Sequence, residues 1–499
     1  MDILLVLKTN VVSIVMAVLA LLLLWKIRGK QSSFERLPPG PATYPLLGNL
    51  FQFNIKEAYK YYLELSNRYG SVVTIWLANT PVVIISGYQA LKDTMIGLGE
   101  EFSGRAIYPL LMKSTYGYGV LSTSGHRWKE MRRFTLTTLK NFGMGRRSIE
   151  ERVREEAEIL VEMFKNCEGS AFSPAKMLMI AVSNVICSIV FGHRFELEDP
   201  QFKSLLQTVN TYFSILSSPL GQIYNIFPRL VGLFPGKHKQ LFKGLDEARE
   251  YCKREAQARM NMQDSSCPQD FIEAFVLKMK EEKDKPNTEY HLSNLVSVIW
   301  NMFSAGTETT SSTLRHALLL MMKNPDIQER VQRELDEVIG QDRWPSVEDR
   351  QNLPYTDAVI HEVQRSMDLA PISVPHKMMC DTEYNGYVVP KGVMVFPLLS
   401  SVLIDPKLWK NPNCFDPENF LDADGRFQKN DAFVVFGIGK RACLGEALAR
   451  TELFIFFTSL LQHFTFKATV PPEELDTTPT NCSFGRMPLT YECYAIPRK

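Results

Sequence analysis

The sequence predicts a large, mainly α-helical domain with a small β portion, carried behind an N-terminal transmembrane helix. Three observations lead there. Apolar residues recur at helical spacing over 151–166, 243–261, 291–322, 324–339, 355–368 and 444–463. Strand-like patterns are few and too scattered for alternating βαβ units. A continuous apolar run opens the chain from Ile3 to Trp25, with Lys8 as its one charge.

As a helix that run covers roughly 34 Å, enough to cross a bilayer core. Lys26, Arg28 and Lys30 follow it directly, which orients the rest of the chain toward the cytosol. Residues 1–30 therefore read as a membrane anchor. The alternative is a cleaved signal peptide, but the run is long for one and no small-x-small site follows. Residues 31–48 hold LPPGP (37–41), Pro45 and Gly48. Such spacing makes a stiff connector, which serves equally as a linker or as a spacer from the membrane. The remainder, 49–499, reads as one domain. SVVTIWL (71–77) and VVIIS (82–86) form a hairpin around Ala78–Pro81, and YVVPKGVMVF (387–396) turns at Pro390–Gly392.

Composition narrows the function. With 56 Lys+Arg against 55 Asp+Glu the net charge is +1, which offers no field for a polyanion and excludes nucleic acid as a partner. Nine cysteines spread over 499 residues do not form a disulfide scaffold and fit a reducing compartment.

One of those cysteines stands apart, in Phe436-Gly-Ile-Gly439-Lys-Arg441-Ala-Cys443-Leu-Gly445. Cys443 precedes an apolar helical run, so its sulfur meets free N–H groups and a positive dipole end that should depress its pKa. Gly439 and Gly445 allow a close approach to a flat ligand, and Arg441 offers a permanent cation for a carboxylate. Phe436 can cover the sulfur. This segment resembles the haem-binding loop of the cytochromes P-450, the haem-thiolate monooxygenases. The resemblance implies that family's fold, haem b as cofactor and Cys443 as the iron ligand, whose thiolate favours O–O cleavage. Val435 departs from the proline that many members carry before the phenylalanine.

Further motifs agree with the resemblance, in the family's order. Glu362 and Arg365 stand at i, i+3 on one helix face. In the family such a pair is buried behind the haem loop with an arginine as third partner, where this chain has Asn419. Ala305-Gly306-Thr307-Glu308-Thr309-Thr310 lies midway along a helix of roughly 48 Å. Gly306 costs about 1 kcal/mol there relative to Ala, and the small residues read as a groove. By resemblance this is the oxygen pocket, with Thr309 steadying dioxygen and delivering protons and Glu308 as its acidic neighbour. Trp128 and Arg132 share one helix face while Lys129 and Arg133 share another. The resemblance assigns Trp128, Arg132, Arg105, Ala305 and His376 to the haem site.

No strand–GxGxxG–helix unit is present, so electrons come from elsewhere. The resemblance implies an NADPH-dependent flavoprotein reductase (NADPH-cytochrome P-450 reductase), sometimes with cytochrome b5, at the endoplasmic reticulum membrane. Lys129, Arg133, Lys140, Lys440 and Arg450 are expected to form a basic docking face. The apolar stretch 213–236, broken by three prolines, is expected to dip into the lipid membrane above the pocket. By alignment a small lipophilic substrate meets Tyr108, Leu121, Phe213, Phe303, Ala305, Ala370, Val374 and Phe484. LPPGP, WKEMRRF, AGTETT and GKRACLGE are most similar to the vertebrate microsomal family-two group, which acts on xenobiotics, fatty acids and steroids. Two rivals stand beside monooxygenation: an oxygen-independent lipid-peroxide isomerase or dehydratase, against which Thr309 argues, and a catalytically silent haem-binding sensor.

Overall fold

The computed structural model describes residues 34–144, 147–261, 267–479 and 485–498. The expected anchor (1–30), the first three residues of the expected linker (31–33) and Phe484 lie outside them. Among the described residues no helix is long and apolar enough to cross a membrane.

Helices of seven residues or more are Ala58–Tyr69 (α1), Pro109–Thr115 (α2), Gly125–Asn141 (α3), Arg147–Lys165 (α4), Ala175–Val190 (α5), Pro200–Ser217 (α6), Pro219–Ile226 (α7), Lys237–Met260 (α8), Phe271–Glu281 (α9), Leu292–Lys323 (α10), Pro325–Val338 (α11), Pro354–Met367 (α12) and Glu446–His463 (α13). The expected mainly-α class is met, with each of the six periodic segments found as a helix. The N-termini show why they start where they do. Prolines open α2, α6, α7, α11 and α12, where a missing N–H costs nothing. Side chains of Asp199, Ser218, Asp270 and His291 cap α6, α7, α9 and α10.

The strands are Val72–Leu77 (β1), Thr80–Ser86 (β2), Gly104–Arg105 (β3), His376–Lys377 (β4), Thr382–Tyr384 (β5), Tyr387–Val389 (β6), Met394–Leu398 (β7), Phe464–Ala468 (β8) and Cys493–Pro497 (β9). They make a sheet of order β1-β2-β7-β4-β3 and two small pairs, β5-β6 and β8-β9. The β1-β2 hairpin is as expected. The segment 387–396 turns where expected, but its halves part: β6 pairs with β5, whereas β7 runs parallel to β2. The reason is burial, since Val395, Phe396 and Leu398 belong under the main sheet and Tyr387 and Val388 do not.

The 32-residue helix α10 is the spine of the molecule and packs most closely on α5. At their crossing Gly306 meets Ile186, and a Cβ there would stand 2.6 Å from Ile186 Cδ1. The expectation that Gly306 serves a ligand groove is corrected here: helix approach accounts for it, while the side chain of Ala305 faces open space. Strand pairing matters to the site in one further way, because β3-β4 sets Arg105 directly opposite His376.

Candidate functional site

Cys443 sits in the loop before α13, and its N–H donates to Phe436 O at 2.7 Å. The side chain is accessible. Yet it lies deep enough that burial pushes its thiol up, against the N–H groups of Gly445 and Glu446 and the charge of Arg132, which pull it down. A side chain both accessible and surrounded faces an interior space. The expected depression of this pKa is thus corrected for the chain by itself: the helix N–H groups are present, but desolvation outweighs them. Gly439 and Gly445 divide their expected work. Gly439 has φ +76° and its missing Cβ would strike Met95 O at 2.0 Å, so it serves loop packing. A Cβ at Gly445 would meet nothing within 4 Å, so that side of the loop is open, as an approach by a flat ligand requires.

Ala305 has the same character as Cys443. It is exposed midway along α10, although residues 303, 304, 307 and 308 around it are buried. One turn on, Thr309 donates its hydroxyl to Ala305 O at 2.7 Å. Glu308 is buried and its carboxyl is raised by desolvation; Oε1 accepts from Ser312 at 2.9 Å, while Oε2 has no hydrogen-bond partner among the described residues. The acid and the threonine are chain neighbours without a hydrogen bond to each other.

Four basic groups gather beside the cysteine loop. Arg441 stacks over the Trp128 ring at 3.8 Å and donates to Ser103 O and Thr123 O at 2.7 and 2.6 Å. Arg132 donates to Ala442 O at 2.8 Å. Arg105 donates to Leu121 O and to Val374 O, and so ties two expected pocket residues together. His376 donates from Nδ1 to Phe102 O at 2.7 Å. No described carboxylate pairs with any of them. Burial and mutual repulsion bring Arg441 down to about 8, Arg105 to about 9 and His376 to about 3. Arg441 Nη1, Arg105 Nη2 and Arg132 Nε and Nη1 have no partner among the described residues. Buried and half-buried guanidiniums with idle donors and no counter-charge among the described residues suit an anionic ligand bearing carboxylates. Haem, with its two propionates, fits that donor set, and Cys443 fits its iron.

Behind the loop Glu362 and Arg365 are 0% and 1% exposed and bond in two places, at 2.6 and 2.7 Å. Arg365 also donates to the carbonyls of Leu403, Pro412 and Cys414 at 2.7, 2.8 and 2.9 Å, so all five of its N–H groups are used. Asn419 does reach Glu362 Oε1, at 3.3 Å, and the Asp416 N–H reaches the same oxygen at 3.0 Å. A backbone amide thus shares the third place.

The expected docking face is less basic than its lysines suggest. Trp128 is buried, and Lys129 and Arg133 lie outside on the other helix face, as expected. However, Lys129 and Lys440 share Glu100, Arg133 pairs with Glu130 at 2.8 Å, and only Lys140 stands free among the described residues. Arg450 is half-buried, with its guanidinium bonded to Glu446 and His361 and lying beside the Phe436 ring. Its neighbours in space were invisible to motif reading, since His361 lies 89 positions away with no spacing signal. Among expected pocket residues, Tyr108, Leu121 and Val374 pack in one apolar cluster and Phe213 and Phe303 in another; Ala370, four positions before Val374, is half-buried.

Comparison with known proteins bears on this geometry. A family model described as Cytochrome P450 matches residues 38–494. The chain is 60% identical over 494 residues to cytochrome P450 2M1 of Oncorhynchus mykiss, covering 99% of both chains. It is 46% identical to cytochrome P450 2G1 of Rattus norvegicus over 96% of this chain and 97% of that one. It is 44% identical to cytochrome P450 2B4 of Oryctolagus cuniculus over 97% and 99%. A sulfur facing an interior space, a cradle of uncompensated arginines and a match over nearly the whole length agree: the chain belongs to the cytochrome P450 family, in its vertebrate family-two group, and is a haem monooxygenase.

Proposed function

We propose that this monooxygenase is held at the endoplasmic reticulum membrane by residues 1–30, takes electrons from NADPH through a separate flavoprotein reductase, with cytochrome b5 as a second donor, and inserts one atom of O2 into lipophilic substrates. The observation that carries the site reading is the set of uncompensated cations beside Cys443. Bound haem supplies the iron at which dioxygen is activated. Cys443 ligates it, with the Gly445 and Glu446 amides orienting the sulfur, while Arg105, Arg132, Arg441, Trp128 and His376 hold the carboxylate edge. Phe436 shields the sulfur.

Thr309 holds a proton at Oγ1, now bonded to Ala305 O, and a swing of that hydroxyl releases it toward the substrate side. Glu308, its carboxyl raised by burial, is the neighbouring acid that can replace the proton delivered. Tyr108, Leu121, Phe213, Phe303, Ala370, Val374 and Phe484 select substrates by shape and apolar burial. Exposed Leu220, Ile223, Leu230, Leu233 and Phe234 in 213–236 support contact of this face with lipid. Among lipophiles, xenobiotics, fatty acids and steroids are the classes to screen.

The test is turnover of such a panel by the haem-loaded chain in vesicles with reductase. Product should require both NADPH and O2; rearrangement of a lipid hydroperoxide without either would overturn the reading. Reversal of Lys129 and Arg133 to Glu should slow reductase-supported turnover about tenfold at low salt, by losing steering. Turnover driven by a peroxide should be spared, and equal loss in both assays would reject the docking face.

A further inference from the structure

Arg450 stands on the first turns of α13, which is otherwise largely buried, and its side chain is only partly in water. Arg450 is held by three things at once. Its Nε and Nη2 reach Glu446 Oε1 at 3.0 and 2.9 Å, one turn back on α13. Its guanidinium lies 5.0 Å from the Phe436 ring centre and 5.5 Å from that of Phe433. Its Nη1 meets His361 Nε2 at 2.9 Å. The first contact is local and half-exposed, so it is weak by itself. The third crosses to α12 and ends on a side chain that is 5% exposed.

His361 is fixed for the task. Its Nδ1 lies 2.8 Å from Asp357 O, a carbonyl that only accepts, so Nδ1 carries the hydrogen and Nε2 is left as an acceptor. The ring is wedged among Phe427, Phe433 and Phe420, with centres at 4.7, 4.9 and 5.3 Å. Asp357 is anchored in turn by Arg350 at 2.7 Å. A chain of contacts thus runs from Arg350 through Asp357, His361 and Arg450 to Glu446 and Phe436. Both touch the cysteine: the Glu446 amide faces the Cys443 sulfur and its carboxylate is a negative charge close to it, while Phe436 O accepts the Cys443 N–H.

We propose that His361 is a positioning residue for the cysteine loop, acting through Arg450, which it holds over Phe436 and against Glu446. This rests on the reading of Cys443 as the iron ligand. With the acceptor at 361 lost, the guanidinium swings to water and Glu446 is left uncompensated beside the sulfur. A bare negative charge there favours the ferric over the ferrous state, so the reduction potential falls.

The test is the ferric–ferrous potential of the haem-loaded full chain, titrated spectroscopically, for four variants. His361→Phe keeps the ring packing and removes the acceptor. His361→Gln places an oxygen where Nε2 was, and His361→Asn places one where Nδ1 was. Arg450→Met removes the guanidinium. Phe, Asn and Met variants should shift the ferric-to-ferrous equilibrium about tenfold toward ferric, about 59 mV for one electron. The Gln variant should stay at the parent value, and the Phe/Met double variant should shift no further than either single one. Equal shifts in Gln and Phe variants, additive shifts in the double, or no shift in Arg450→Met would each overturn the proposal. If His361→Phe loads no haem, the Arg450→Met and His361→Gln pair decides. A histidine-type carbon-monoxide band in the unsubstituted chain would sink the ligand reading itself; a thiolate band with unmoved potentials sinks only the role of His361.

Discussion

In Cys443→Ala the reduced carbon-monoxide difference spectrum should lose its thiolate Soret band and monooxygenation should fall below detection. The loss should come without unfolding. The Cys443 side chain faces an interior space and bears on no core cluster, so deleting its sulfur opens no packed cavity. Circular dichroism and the melting midpoint of the haem-free chain should therefore stay near the parent. Haem affinity should drop, yet Arg105, Arg132 and Arg441 still offer their donors to the carboxylates. Residual haem should then show a band of nitrogen- or oxygen-ligand type. Retention of the thiolate band in Cys443→Ala would transfer the ligand role to another of the nine cysteines.

Arg365→Met should do the opposite: destroy the fold before any chemistry is asked of it. Its removal leaves Glu362 as a fully buried charge and strands the carbonyls of Leu403, Pro412 and Cys414 without donors. Breaking one side of such a pair costs about 3–5 kcal/mol, a large part of the ~5–15 kcal/mol that separates a domain from its unfolded state. Arg365→Lys should fare little better, because one ammonium cannot reach five acceptors in a fork. Asn419→Ala should cost only about 1 kcal/mol, since the Asp416 amide already serves the same oxygen. Soluble haem-containing yield and urea midpoints check all three. A parent-like yield of Arg365→Met would show that the pair is dispensable.

What could be read from the chain alone follows from sequence distance. The cysteine loop, Glu362–Arg365 and Trp128–Arg132 are local patterns, and each is placed by a single turn of helix or loop. Six helices were legible from their apolar spacing, α10 and α13 among them although both are largely buried, while α1, α6 and α9 were not singled out despite their polar sides. Nor was α5, which is buried on nearly every side from Leu178 to Val190. The β2-β7 pairing, the facing of Arg105 and His376 and the bond between Arg450 and His361 join residues far apart in the chain. No spacing rule reaches them; family likeness pointed to Arg105 and His376, and nothing pointed to His361. The basic face was overestimated because charges were counted without Glu130, one helix turn from Arg133, and without Glu100, whose position only the fold supplies.

The arginine cradle has a consequence for how much enzyme a cell can keep. Until haem arrives, three guanidiniums repel one another inside the protein, and that repulsion is relieved only by the cofactor's carboxylates. Cofactor binding is then linked to folding by mass action, adding about 2.7 kcal/mol when free haem stands at a hundred times its dissociation constant. Abundance of the folded chain should accordingly follow haem supply, making the cell's porphyrin economy a governor of its capacity to oxidise lipophiles.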